Sequence, residues 1–238
     1  MSIKSWNIVL VVALLAVLAI GGAFLYKSGT GRSSEAAKEQ EAQVAVREQV
    51  AKKRYEAKKV LYSEFEAALN GFIQELDQEA RAYKALRKVY MDLIVPVNLR
   101  APEFVVENHN IGVRTNMELQ LQMEKIISMF TNTDAKMRNL ISRLPDDEAE
   151  RASAQWKSLQ DEQAEMYLQF FTADQDIFAK VQQLLGFYYA HRADMSIDVA
   201  RNSVDFATPE NQATALAYQK EIDVLKQAQA AMMRAERS

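Results

Sequence analysis

The sequence predicts an all-α protein: a single N-terminal membrane-spanning helix, a helical stalk, and an elongated antiparallel bundle of about four helices. Three observations predict it. An apolar run near the N-terminus continues without a charge for the length of a membrane span. Gly and Pro are scarce, at 7 and 4 in 238 residues, which favours long helices over a many-turned β fold. Large apolar residues then recur at alternating spacings of three and four, the period of a helix face turned toward a core.

The first element follows a short tail, residues 1–7. Residues 8–26 read IVLVVALLAVLAIGGAFLY. At 1.5 Å per residue they reach about 28 Å, close to the ~30 Å of a bilayer's hydrocarbon. Trp6 and Tyr26 stand at interfacial positions, and Lys4 and Lys27 bound the run. A cleaved leader is the competing reading, with the cut near Gly21-Gly22-Ala23, although Phe24, Leu25 and Tyr26 carry the apolar run beyond it. Lys27, Arg32 and Lys38 against Lys4 and the α-amine point to a cytoplasmic C-terminal domain, whereas a short tail before a single span favours export of the long one.

Residues 27–34, KSGTGRSS, form a tether broken by Gly29 and Gly31, and Ser33 or Ser34 is placed to cap the next helix. Residues 35–60 are dominated by Ala, Glu, Gln, Lys and Arg, strong helix formers with little to bury, and read as a solvated stalk. The bundle occupies 61–238. Its first seam runs Tyr62, Phe65, Leu69, Phe72, Leu76, Glu79, Tyr83, Leu86, Tyr90 and Leu93. A second runs Leu119, Met123, Ile126, Phe130, Thr133, Met137, Leu140 and Leu144. A third runs from Ala149 through Trp156, Gln163, Phe170, Ala173, Ile177, Lys180 and Leu184 to Phe187. Pro145-Asp146-Asp147 makes a short link between these two, so they are antiparallel neighbours. Thr208-Pro209-Glu210 opens a last helix carrying Leu216, Ile222, Leu225 and Met232. No stretch alternates long enough to specify a sheet, though residues 196–206 are open to a local extended pair.

The chemistry is sparse. Without Cys there are no disulfides, thiolate metal sites or cysteine nucleophiles. Net charge is −3, so no nucleic-acid partner is expected. His109 and His191 are the two histidines, and neither has a Glu three residues before it, so the usual di-metal carboxylate site of helical bundles is excluded. No phosphate loop, nucleophile elbow or triad is present, and neither a catalytic residue, a cofactor nor a metal is expected. Glu79, Gln163 and Lys180 interrupt the seams and read as rim positions, His191 as a helix-end histidine. Residues 94–112 read as a 19-residue irregular connection, with Val97, Phe104 and Val105 plugging the bundle's end. Within it Arg100, Phe104, Asn108 and His109 are the candidate partner-contact residues.

The loop VNLRAPEFV at 97–105 and the run QQLLGFYYAHRADMSIDVARNSVDFATPENQATALAYQKEIDVL at 182–225 resemble a family of small bacterial envelope proteins. That family carries a helical domain of unknown function and includes a periplasmic lipoprotein. The resemblance spans residues 64–228 and rests on the aromatic-rich helix, the small polar turn, and Phe206-Ala207-Thr208-Pro209 before the last helix. It implies a bacterial inner-membrane protein whose domain faces the periplasm, with a signal anchor in place of the acylated Cys that this chain lacks. It implies no catalytic residue. The expected function is non-enzymatic: contact with another envelope protein, on a chain held to the bilayer by its first helix and open to self-association. A periplasmic small-ligand sensor and a cytoplasm-facing coiled-coil scaffold are the alternatives.

Overall fold

The computed structural model describes residues 34–235. The expected span at 8–26, its leader alternative and nearly all of the tether lie outside them. No helix among the described residues is long and apolar enough to cross a membrane. The elements in order are α1 (Ser34–Asp92), α2 (Pro96–Leu99), α3 (Pro102–Ile141), α4 (Asp146–Ala190), β1 (Met195–Asp198), β2 (Ser203–Phe206) and α5 (Pro209–Ala235). The described residues are therefore mainly helical and carry one small hairpin. The all-α expectation is corrected there.

The four long helices form where good helix formers and three-four spacing coincide, and they begin where the residues dictate. Asp146, Asp147 and Glu148 put negative charge on the first turn of α4. Pro209 starts α5, and the Thr208 hydroxyl accepts the Asn211 amide at 3.3 Å. The hairpin forms because Asn202 adopts a left-handed φ of 53°, and because Asp198 binds both the backbone and the side chain of Arg201 across the turn. Its register pairs Met195 with Phe206 and Ile197 with Val204.

A further correction concerns residues 94–112. Pro96 opens the short α2, and Pro102 opens α3, where a missing N–H costs nothing. The expected 19-residue loop is thus two helices joined by Arg100 and Ala101. Gly112 does not close a loop. It lies within α3, where a Cβ would come 2.7 Å from Leu185 Cδ1.

The residues divide into two compact units, one of residues up to 75 with 131–160, the other of 76–130 with 161 onward. The first unit is held by Leu61, Phe65, Leu69, Met137, Leu140, Ile141, Leu144 and Trp156. Lys58 pairs with Glu148 at 2.6 Å, which raises the lysine's pKa, and the Trp156 indole donates to Asp134 at 3.0 Å. Arg143 also pairs with Glu64. From Glu41 to Val60, every α1 residue except Lys58 is exposed.

The second unit buries Tyr83, Tyr90, Leu119, Met123, Ile126, Phe171, Ile177, Phe178, Val181, Leu184, Leu185 and Tyr188, with Met195, Val204 and Phe206 from the hairpin. All eight residues of the second expected seam are buried. The third seam is broader than the spacing predicts: Phe171, Asp174, Phe178 and Val181 are buried, while Phe170 and Ala173 are only partly so. A helix that packs on more than one neighbour buries a wider arc than a single seam. On α5 the buried positions are Ala215, Ile222 and Gln229, and Leu216 is exposed.

Candidate functional site

The four candidate contact residues lie in the second unit, where α2, the start of α3, the end of α4 and the hairpin come together; α2 packs on β1. Backbone geometry sets this end. Arg100 has φ 51° and ψ −57°, and the Ala101 amide donates to the Leu99 carbonyl at 2.5 Å, a tight γ-turn that a side chain enters only under strain. Pro102 follows and starts α3 at once, so the turn has no room to relax.

Asn108 is buried and structural. Its amide donates to the Leu93 carbonyl at 3.2 Å and the Asn98 carbonyl at 3.4 Å, and Asn98 donates in turn to the Asp92 carbonyl at 2.8 Å. It ties down the carbonyls left over at the end of α1. His109, one residue on, is half-buried and stacks on Tyr189, with ring centroids 4.8 Å apart. The Arg192 guanidinium lies 4.8 Å from the same Tyr189 ring and donates to the Tyr189 carbonyl at 2.7 Å. Tyr189 thus meets both an imidazole and a guanidinium. Val105, not Phe104, plugs the core: Val105 is fully buried, whereas Phe104 is 38% and Val97 47% exposed. The Arg100 side chain makes no hydrogen bond or ion pair among the described residues. Phe104, Tyr189, Arg100 and Arg192 are exposed at this end of the unit, with Glu103, Glu107 and Asp194 exposed on the same segments.

The other singled-out residues are structural. Glu79 accepts from Gln122 at 2.6 Å and pairs with Lys125 at 2.8 Å; these partners, Lys125 foremost, hold its carboxyl below the ordinary 4.5. Lys180 pairs with Glu221 at 2.6 Å. His191 packs on Phe187 and meets the Asn211 amide at 3.2 Å.

The most buried charged side chain among the described residues is one that the seam spacing does not mark. Asp174, with no exposed surface, accepts from the Tyr83 hydroxyl at 2.5 Å, from Arg87 at 2.8 and 2.9 Å, and from Gln229 at 2.8 Å. Burial, then the adjacent Asp174 carboxylate, push the Tyr83 hydroxyl well above the ordinary tyrosine range. The signal was the phase: Phe171, Asp174, Phe178 and Val181 fall on one helix face with an acid among them.

No group of three or more His, Asp and Glu among the described residues could hold a metal ion. An open depression of about 520 Å³ in the first unit is lined by Glu64, Ala68, Ala135, Lys136, Asn139 and Leu140, and Arg143 already takes up Glu64 there. No family model matches the chain, and neither curated proteins nor solved structures show a significant match.

Proposed function

We propose that this chain is a membrane-anchored, non-enzymatic protein of the bacterial envelope, whose packed helices make protein–protein contacts on the periplasmic side. One observation carries the reading: α1 runs 59 residues, and its side chains from Glu41 to Val60 are left almost wholly uncovered before packing begins at Leu61. A helix that exposes Val44, Val46, Val50 and Tyr55 over about 30 Å buries nothing of its own there. Following an apolar run of bilayer length, it serves as a stalk that holds the packed helices off the membrane. Phe104 and Tyr189, with Arg100 and Arg192, supply the contact surface. The envelope location rests on the resemblance of residues 97–105 and 182–225 to a family of small bacterial envelope proteins.

The Cys-free chain makes the test direct. A single Cys at Ser238, probed in intact cells with a maleimide that crosses only the outer membrane, should be labelled on a chain of full mass. A photo-cross-linking residue at Phe104 should then yield an adduct that Arg100→Glu diminishes. Protection until lysis would move the bundle to the cytoplasm and favour the scaffold. Labelling of a shortened chain would make it an exported protein without an anchor.

A further inference from the structure

The last helix is held to the second unit in a different way from the helix it lies on. Along α4, Ile177, Phe178, Val181, Leu184, Leu185 and Tyr188 are buried. On α5 the buried positions recur every seven residues, at Ala215, Ile222 and Gln229, and Ile222 is the one large apolar side chain among them. Tyr218, Leu225, Met232 and Met233 are half-buried, and Leu216 and Val224 are exposed. Much of what fastens α5 is polar. Gln212 bonds Val204 and Phe206 of the hairpin, Gln219 donates to the Tyr188 hydroxyl at 2.9 Å, and Lys180 of α4 pairs with Glu221 at 2.6 Å. Farther along, the Gln229 amide donates to Asp174 at 2.8 Å and to the Phe170 carbonyl at 3.2 Å, and accepts from Arg87 at 3.1 Å. Such bonds are exchanged for bonds to water when a helix lifts away, so they hold it less firmly than buried apolar surface does. Asp174 does not tie α5 down either. It keeps the Tyr83 hydroxyl and both Arg87 bonds when Gln229 leaves, because those donors stand on α1.

We infer that α5 is a releasable cover: it lifts from its C-terminal end, turns at Ala207 and Thr208, and bares the strip of α4 that carries Ile177 and Leu184. These two residues are fully buried and lie three or four positions from Asp174, Lys180 and Tyr188, which bond α5, so they share the face that α5 covers. The direction of opening is set by the two ends. At the start, Gln212 ties the first turn of α5 twice to the hairpin, and Phe206 of that hairpin packs on Phe187 and Tyr188 of α4. Beyond Gln229, α5 buries no residue completely. Ala207 and Thr208 are exposed, so the turning point meets no packed side chain. The closed form hides an apolar strip, and its exposure is governed by a local equilibrium rather than by unfolding of the unit. The inference concerns the second unit alone and does not depend on the compartment the chain faces.

The test is hydrogen exchange on the full chain in detergent micelles. A helix that has left its neighbours owes little stability to propensity alone, so its amides exchange soon after it lifts. Amides of residues 215–233 should exchange together, about ten-fold or more faster than those of 177–188 on α4 and 119–126 on α3. The absence of Cys allows a specific lock. Lys180→Cys with Glu221→Cys, bridged by a short bis-maleimide, should slow residues 215–233 by about ten-fold or more and leave α3 unchanged. The same double variant without the bridge should keep the fast exchange. Equal rates in α5 and α4 overturn the inference, because α5 then opens only when the whole unit does. A bridge that leaves α5 fast also overturns it, because the amides then exchange by fraying while α5 stays in place.

Discussion

Arg100 shows how much a single φ decides. A non-glycine residue in a γ-turn with φ 51° carries about 1–3 kcal/mol of backbone strain, while glycine there gives back about 0.5–1 kcal/mol through the entropy of the unfolded chain. Arg100→Gly should therefore stabilise the chain by about 1 kcal/mol, seen as a higher urea midpoint with an unchanged slope. A lower midpoint would show that the Arg side chain itself holds the turn. Tyr188 sets an alkaline limit. Burial pushes its hydroxyl up from 10.0 to about 12, against a small opposing effect of Gln219. Folded chains then hold that proton where unfolded chains release it, so its contribution is complete below pH 10 and fades as pH rises toward 12. Stability followed between pH 9 and 12 should fall less steeply in Tyr188→Phe. An unchanged slope would show that Tyr188 ionises freely. Little of this residue scale was legible in the sequence: Tyr83 and Tyr90 lie on the predicted seam, but nothing there marks Asp174 as the group that Tyr83 bonds. A carboxylate in a helix reads as solvent-facing until its neighbours are known.

Two of the helical glycines, Gly71 and Gly112, separate local preference from packing. Around Gly71 of α1 a Cβ would meet nothing within 4 Å, whereas at Gly112 of α3 it would meet the fully buried Leu185. Gly71→Ala should gain up to about 1 kcal/mol from helix propensity. Gly112→Ala should lose about 1 kcal/mol net, because overpacking a closed core outweighs the same gain. Denaturant midpoints of the two variants should move in opposite directions, and parallel shifts would refute the close approach. Spacing predicted the long helices and the second seam residue by residue. It misread 94–112, because two prolines and a glycine look like loop punctuation while Pro96 and Pro102 each start a helix. The hairpin was only an open option, since four-residue strands are too short to show alternation and are held here by Gln212, which bonds both Val204 and Phe206.

At the scale of the molecule, each compact unit has its own buried core, and each draws on stretches far apart in the chain. The proposed anchor gives a prediction at this scale: the full chain should stay with the membrane pellet through alkaline carbonate extraction. Release into the supernatant would sink the retained helix and favour a cleaved leader. The sequence by itself determined what depends on nearest neighbours along the chain: the helix starts at Asp146 and Pro209, the apolar period, the solvated character of residues 41–60, and the want of thiols. Only the tertiary structure decided that Asp174 is buried, that His109 stacks on Tyr189, that Phe104 and Leu216 face outward, and that Val113, Met117 and Leu121 have no cover. The reason is physical. Periodicity says that a helix has an apolar face, but which residues lose their water depends on how many neighbours that face meets, and those neighbours come from sequence positions that no local pattern connects.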